Sequence, residues 1–271
     1  MLLGLDHIVI AVRDLAATQR DYKALGFTVV PGGKHPVGTH NALIALADGA
    51  YIELIAFYEA NPDHRWWNAL QKGEGIVDFC MQTDDLLGDT AKLRNAGVDI
   101  DDPVPWSRTR PDGYRLKWLL SLAREGHRGM APFLIQDETP REERVPRESS
   151  HSNGAVGIGR LTVAVEDLPT VRRWYEAVLG YEGTTVERRD LLAKGFFLRV
   201  GPHRLEFLGP AAVTSPISNC LKARGPSPFA ATLRAEKKTP RGFTDSRISG
   251  LYLDAKGITL RRAEMTTRRR A

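Results

Sequence analysis

Alternating apolar and polar positions open the chain. In "LDHIVIAV" (Leu5 to Val12), Ile8, Ile10 and Val12 share one face of a strand and His7, Val9 and Ala11 the other. The period then lengthens. Leu15, Thr18, Tyr22 and Leu25 recur at helical spacing behind Asp14, a residue type suited to an N-cap, and Gly26 breaks the helix. "HNALIAL" and "AYIELIAF" read as strands around the turn "ADGA". Ile52 and Leu54 match the helix-covered face, so Tyr51, Glu53 and Ile55 face the opposite way. Asn41 is expected to join them, with Ala42, Ile44 and Leu46 on the helix side.

The pattern recurs. "DHIVIAVRDLAATQRDYKALGF" from Asp6 aligns with "GRLTVAVEDLPTVRRWYEAVLGY" from Gly159 at an offset of 153 residues, and the same offset pairs Glu53 with Glu206 and His7 with Arg160. A fainter copy, "IVDFCMQTDDLLGDTAKLRNAGV", puts Asp78 where His7 fell; Val77, Phe79 and Met81 are expected on its helix side, and Asp78, Cys80 and Gln82 opposite. A fourth, "SPFAATLRA" with "ISGLYLDAKGITL", has strands and little room for a helix. The expected architecture is α+β: four βαβββ-like modules, helices on the outer face of each mixed sheet, the other face curled into a cup. Residues 1–140 and 158–271 are expected to form two domains, joined by a charged, Pro/Ser-rich linker over 141–157.

Charge changes this picture in one respect. The net charge of +5 is split, because residues 1–145 carry 16 basic and 21 acidic side chains and residues 146–271 carry 22 and 12. The basic half suits anionic ligands. Nucleic acid is not expected, since the basic residues are scattered rather than interleaved with aromatics. No apolar run approaches the ~18 residues of a membrane helix, and the first residues do not read as a signal peptide. Two cysteines, Cys80 and Cys220, make no disulfide framework and fit a reducing cytoplasm.

The candidate chemistry lies in the first cup. A charge such as Glu53 inside an apolar strand costs free energy unless it is paired or metal-bound. His7, Glu53 and Asp78 together would suit Zn, Ni, Mn or Fe(II) with open positions for substrate. The alternative is a buried His7–Glu53 pair that only satisfies charge. In the second half Arg160 and Glu206 read as an ion pair in a scaffold or an anion pocket.

"LDHIVIAVRDL…LGF", "YIEL", "GGKHPVGTHNALIAL", "RPDGYRLKW" and "GMAPFLIQD" resemble the vicinal oxygen chelate superfamily, and within it the glyoxalase-like domain family. The resemblance is strongest over about the first 137 residues. It implies a ligand on the first strand and a glutamate on the last strand of each paired module, hence His7 and Glu53. The second module departs, with Asp78 for the histidine and Phe133 near the final glutamate position. Asn41, Arg110, Trp118 and Phe133 are the expected substrate contacts. The implied function is a metal-dependent lyase or isomerase acting on a small oxygenated metabolite, with Glu53 as ligand or base; the alternative is a metal-free binding or sequestering protein of the resistance type. The expected partners are a small-molecule ligand and, as an option, a second copy of the chain.

Overall fold

The computed structural model describes residues 1–109, 113–124, 126–238, 244–253 and 261–263. The first sheet is built from β1 (Leu2–Ala11), β2 (Val30–Lys34), β3 (Thr39–Ala45), β4 (Tyr51–Phe57), β5 (Gly75–Thr83), β6 (Val104–Thr109), β7 (Arg115–Ser121) and β8 (Phe133–Asp137), with α1 (Leu15–Ala24), α2 (Trp67–Gln71) and α3 (Leu86–Asn95) between them. A short α4 (Arg141–Arg144) leads to the second sheet: β9 (Ala155–Ala164), β10 (Thr184–Arg188), β11 (Ala193–Val200), β12 (His203–Pro210), β13 (Ser227–Lys238), β14 (Thr244–Leu253) and β15 (Arg261–Ala263), with α5 (Leu168–Leu179) and α6 (Pro216–Arg224).

The local code works as read. The Asp14, Asp85 and Asp167 carboxylates accept the N–H groups of Ala17, Gly88 and Thr170, capping α1, α3 and α5. Gly180, at φ 77°, ends α5 in the left-handed region that glycine favours.

Strand order is β2-β3-β4-β1-β5-β8-β7-β6 in the first sheet and β10-β11-β12-β9-β13-β14-β15 in the second. In each, the leading strand runs parallel to the last strand of its own module and antiparallel to the next module, through β1–β4 and β1–β5, then β9–β12 and β9–β13. Modules one and two therefore share a cup. Each sheet is mixed and curls into a half-barrel.

The helix-side core runs unbroken through both halves. Ile8, Ile10, Tyr22, Ile44, Ile52 and Phe79 from the first belong to one buried cluster with Leu161, Val163, Trp174, Tyr175 and Phe207 from the second. The α3 and α5 helices pack together, and the Tyr175 hydroxyl donates to Met130 O at 2.8 Å. Asp48, in the β3–β4 turn, accepts from Ile158 N and Arg234 Nη2, both at 2.8 Å, with His203 Nε2 at 3.3 Å. The two cups thus open away from the shared core, lined by separate apolar clusters.

Two irregularities redirect side chains. The β1–β5 register shifts between Leu5 and His7, and again between Val9 and Ile10. Such a shift breaks the period of two. At the second, Val77 packs in the cup cluster with Val9, Ala11 and Trp66, a correction to its expected place on the helix side. The segment read as a linker is packed against the first half: Arg144 is buried in α4, and His151 accepts Thr28 N and contacts Ala45 O at 2.8 Å.

Candidate functional site

A cavity of about 150 Å³ occupies the first cup, lined by His7, Asn41, Tyr51, Glu53, Trp118 and Phe133, and at its sides by His35, His64, Arg65, Trp66, Trp106 and Arg108. Alternation on β4 delivers Tyr51, Glu53 and Ile55 to it, while Ile52 and Leu54 enter the helix-side core. His7 comes from β1 beside Tyr51, on which it stacks with ring centroids 4.5 Å apart.

His7 is held from behind. Its Nδ1 lies 2.7 Å from Asp6 Oδ1. Strict alternation would put Asp6 on the opposite face; the register shift at this point lets two adjacent residues serve one site. Asp6 is fully buried. Arg144 donates to both its oxygens (Nη1 to Oδ1 3.2 Å, Nη2 to Oδ2 2.8 Å), and Arg141 donates to Oδ2 as well. Arg144 also grips Asp137 through Nε and Nη2 at 2.6 and 2.8 Å, and the Tyr51 hydroxyl at 3.1 Å. Burial pushes Arg141 down to about 9.

Glu53 is the acidic end of the site. Asn41 Nδ2 donates to its Oε1 at 2.6 Å, and Asn41 Oδ1 accepts Gly33 N at 2.9 Å. Gly32 lies so close that a Cβ there would overlap Asn41 Oδ1. The other carboxylate oxygen, Oε2, faces His7 Nε2 at 3.6 Å. No arginine or lysine among the described residues pairs with Glu53.

Burial lowers the His7 pKa to about 4, so near neutrality the ring carries one proton. That proton belongs on Nδ1, 2.7 Å from a carboxylate; the gap at Nε2 is too long for a hydrogen bond. A lone pair on Nε2 then faces a carboxylate oxygen across 3.6 Å. Two acceptors so placed are spaced for one divalent ion, since bonds of about 2.1 Å to each would span that gap at an open angle. A carboxylate on the other ring nitrogen is also the usual support for a metal-bound histidine. His7 and Glu53 fit such an ion.

The remaining expected ligand is placed elsewhere. Asp78 is fully buried, but its Oδ2 accepts from Arg65 Nη2 at 2.7 Å and Trp66 Nε1 at 2.9 Å, and its Oδ1 from Phe79 N. It holds the Trp66 loop over the cavity and is not brought together with His7 and Glu53. Cys80, directly opposite His7, is the nearer neighbour on β5. Asp6, His7 and Cys80 place ligand atoms within 4.8 Å of one another. That set is a poor cation site, because Asp6 is spent on two arginines and burial pushes the Cys80 thiol well above its ordinary pKa. Asn41, Trp118 and Phe133 line the cavity. Arg110 lies outside the described residues.

Sequence reasoning missed Arg144, Arg65 and His64. The first sits 138 residues from Asp6, inside a run that reads as linker. His64 is held at Nδ1 by Trp66 N, and burial, then the nearby Arg65, lowers its pKa to about 4.

In the second cup Glu206 is fully buried, with Thr162 Oγ1 donating to Oε2 at 3.0 Å and Arg160 Nε at 3.7 Å. Two further arginines, Arg188 and Arg204, reach it at 2.8 and 2.9 Å.

Paired modules sharing a cup, with polar residues of the leading and last strands turned into it, define a vicinal oxygen chelate domain. More narrowly, the chain belongs to the glyoxalase-like domain family, whose profile matches residues 5–179. No curated protein matches the sequence. Among solved structures, a hypothetical protein from Staphylococcus aureus is 18% identical with a TM-score of 0.56, over 75% of this chain and 85% of that one. A mutant of 4-hydroxymandelate synthase from Streptomyces coelicolor is 17% identical with a TM-score of 0.56, over 84% and 70%. A fusion of a xylose isomerase-like TIM barrel with 4-hydroxyphenylpyruvate dioxygenase is 13% identical with a TM-score of 0.55, over 88% and 37%. At these identities the likeness is one of fold. Among the described residues, no helix is long and apolar enough to cross a membrane.

Proposed function

We propose that the chain is a metal-dependent lyase or isomerase acting on a small oxygenated metabolite, with a divalent transition metal held by His7 Nε2 and Glu53. The observation that carries this reading is the 3.6 Å gap between two acceptors, one of them a buried carboxylate with no arginine or lysine partner among the described residues. An ion bound there would supply Lewis-acid polarisation of the substrate's neighbouring oxygens.

The chain's own residues do the rest. Asp6 fixes the tautomer and direction of His7, and Arg144 fixes Asp6. Asn41 turns Glu53 so that Oε2 is presented to the cavity. Among the described lining residues Glu53 is the sole carboxylate, so where the metal does not need it as a ligand it is the base that would take a proton from the substrate. Trp66, Trp118 and Phe133 exclude water and shape a small apolar chamber. Arg108 stands in the wall, where a substrate carboxylate would meet it.

Metal content by mass spectrometry, with titration of Ni, Zn, Mn and Fe(II) into the stripped protein, tests this directly. About one equivalent is expected in the wild type and none in His7→Ala or Glu53→Gln. A wild type that takes up no metal overturns the reading. The aromatic wall and the sequestered Asp78 would then favour a metal-free small-molecule binding protein, in which Glu53 is only a hydrogen-bonding anchor.

A further inference from the structure

Asp78 occupies the repeat position of His7, yet it serves a loop. It is fully buried on β5, and its Oδ2 accepts from Arg65 Nη2 at 2.7 Å and Trp66 Nε1 at 2.9 Å. Both donors lie between β4 and α2. A carboxylate inside the sheet thus pins this loop to the first cup, where His64, Arg65 and Trp66 all line the cavity.

The pinned loop presents two donors. His64 Nδ1 accepts Trp66 N at 3.2 Å, and the ring packs edge-on with Phe57 and Trp66, centroids 5.0 and 5.3 Å away. Burial, and next the Arg65 charge, keep the imidazole neutral near pH 7. A neutral imidazole carries one proton, and with Nδ1 accepting, that proton sits on Nε2, at the outer end of the ring. Among the described residues, no hydrogen bond or ion pair engages this N–H. Beside it, Arg65 lies 5.4 Å over the Phe133 ring and spends only Nη2 on Asp78. Its charge is matched there, but further donors of the same guanidinium are not, and its buried Nε has no partner.

Unmatched donors beside an apolar chamber favour a ligand that brings oxygen acceptors. An imidazole N–H next to a guanidinium suits the two oxygens of a carboxylate, whereas an ammonium group finds no acceptor on either side chain. The cavity, at about 150 Å³, admits a molecule of roughly benzene's size, which limits the acid to a short one.

We propose that His64 and Arg65 form a carboxylate subsite in the first cup and select short dicarboxylic hydroxy or oxo acids, one carboxylate clamped by the loop and the other end chelated at His7 and Glu53. The inference rests on the metal-binding reading of that cup and names its substrate class. Asp78 is then a positioning residue for the clamp.

Two pairs of probes, tartronate with lactate and malate with 2-hydroxybutanoate, differ only in a carboxylate for a methyl group and chelate alike. Each is titrated calorimetrically into the full chain loaded with Ni, with metal content measured for every variant. At least one diacid is expected to bind about tenfold or more tighter than its methyl partner. His64→Phe should abolish that preference, leave the methyl partner's affinity unchanged and keep the bound metal. His64→Gln, which restores an N–H donor, should recover part of the loss. Arg65→Met should weaken the diacid too; should it fail to fold because Asp78 is left unpaired, the two His64 variants decide alone. Nitrogen-15 NMR of the metal-free protein should show His64 protonated on Nε2 at pH 7. A proton on Nδ1 overturns the proposal, as does the absence of any diacid preference. Full metal occupancy with an unchanged diacid preference in His64→Phe overturns this proposal alone and leaves the carboxylate to Arg108. A wild type that takes up no metal overturns the underlying reading and this proposal together.

Discussion

A histidine buried beside two carboxylates would ordinarily be expected to hold its charge; His7 does the reverse. Burial is the larger influence, and Arg144 behind Asp6 offsets part of the attraction to the acids. The consequence can be measured. Because the pKa is lower in the folded chain than the unfolded value near 6.5, the unfolded state binds more protons between pH 6.5 and about 4. Stability contributed by neutral His7 is therefore complete above 6.5 and is lost as pH falls through that window, by an amount on the order of 3 kcal/mol. Urea unfolding at pH 7 and at pH 4 should show this loss in wild type and a smaller one in His7→Gln. Equal losses would place the proton elsewhere. The residue scale is also where the sequence was least informative. Glu53, Tyr51 and Asn41 were readable because β3 and β4 keep the period of two. Asp6 and Val77 were not, because register shifts in β1–β5 break that period and nothing in the local composition announces them.

Among the elements, two short ones do much of the positioning. The α4 turn is four residues long, yet Arg144 ties Asp6 on β1 to Asp137 on β8 and to Tyr51 on β4. Removing one member of a buried ionic cluster leaves the others unpaired. Arg144→Met is expected to cost roughly 3 kcal/mol in chemical denaturation, and Arg144→Lys less, since Lys keeps the charge without the fork. A Met variant as stable as wild type would mean that Arg141 alone neutralises Asp6. The β2 strand acts on the other side of the site. Gly32 leaves space for Asn41, and Gly33 N fixes its amide oxygen. Gly32→Ala should displace Asn41 and free Glu53 to rotate, lowering metal affinity about 10-fold to 100-fold, the range for lost supporting contacts around a ligand, with little change in circular dichroism. Unchanged affinity would show that Glu53 is held by something other than Asn41. The need for glycine at 32 could be suspected from "PGGK", but its reason is a contact with a strand nine residues later. Arg144 was hidden differently: charge density and proline in residues 141–157 read as a tether, and only tertiary structure shows one of those charges to be buried.

On the scale of the molecule, the question is whether the two sheets are separable domains. Their architecture was legible because strand, cap, helix and glycine stop recur in order, and because Asp14, Asp85 and Asp167 cap in the same way. How the halves associate was not, since an apolar helix face reads the same whichever surface covers it. The structure places the helix sides of both sheets in one cluster, so that Tyr175 and Trp174 of the second half and Tyr22 and Phe79 of the first share a single core. Asp48 then crosses the boundary with a buried carboxylate that Arg234 and Ile158 N satisfy. A half expressed alone would expose its side of that core and leave Asp48 unpaired. Residues 1–152 on their own are therefore expected to bind a hydrophobic dye and to lack a sharp thermal transition, whereas the full chain should unfold in one step with coincident fluorescence and circular dichroism curves. Asp48→Ala should lower that single midpoint without splitting it, because both halves lose the same anchor. Two separated transitions in the full chain, or a compact and cooperative fragment, would show that each cup is carried by an autonomous domain and that the shared core is a docking interface.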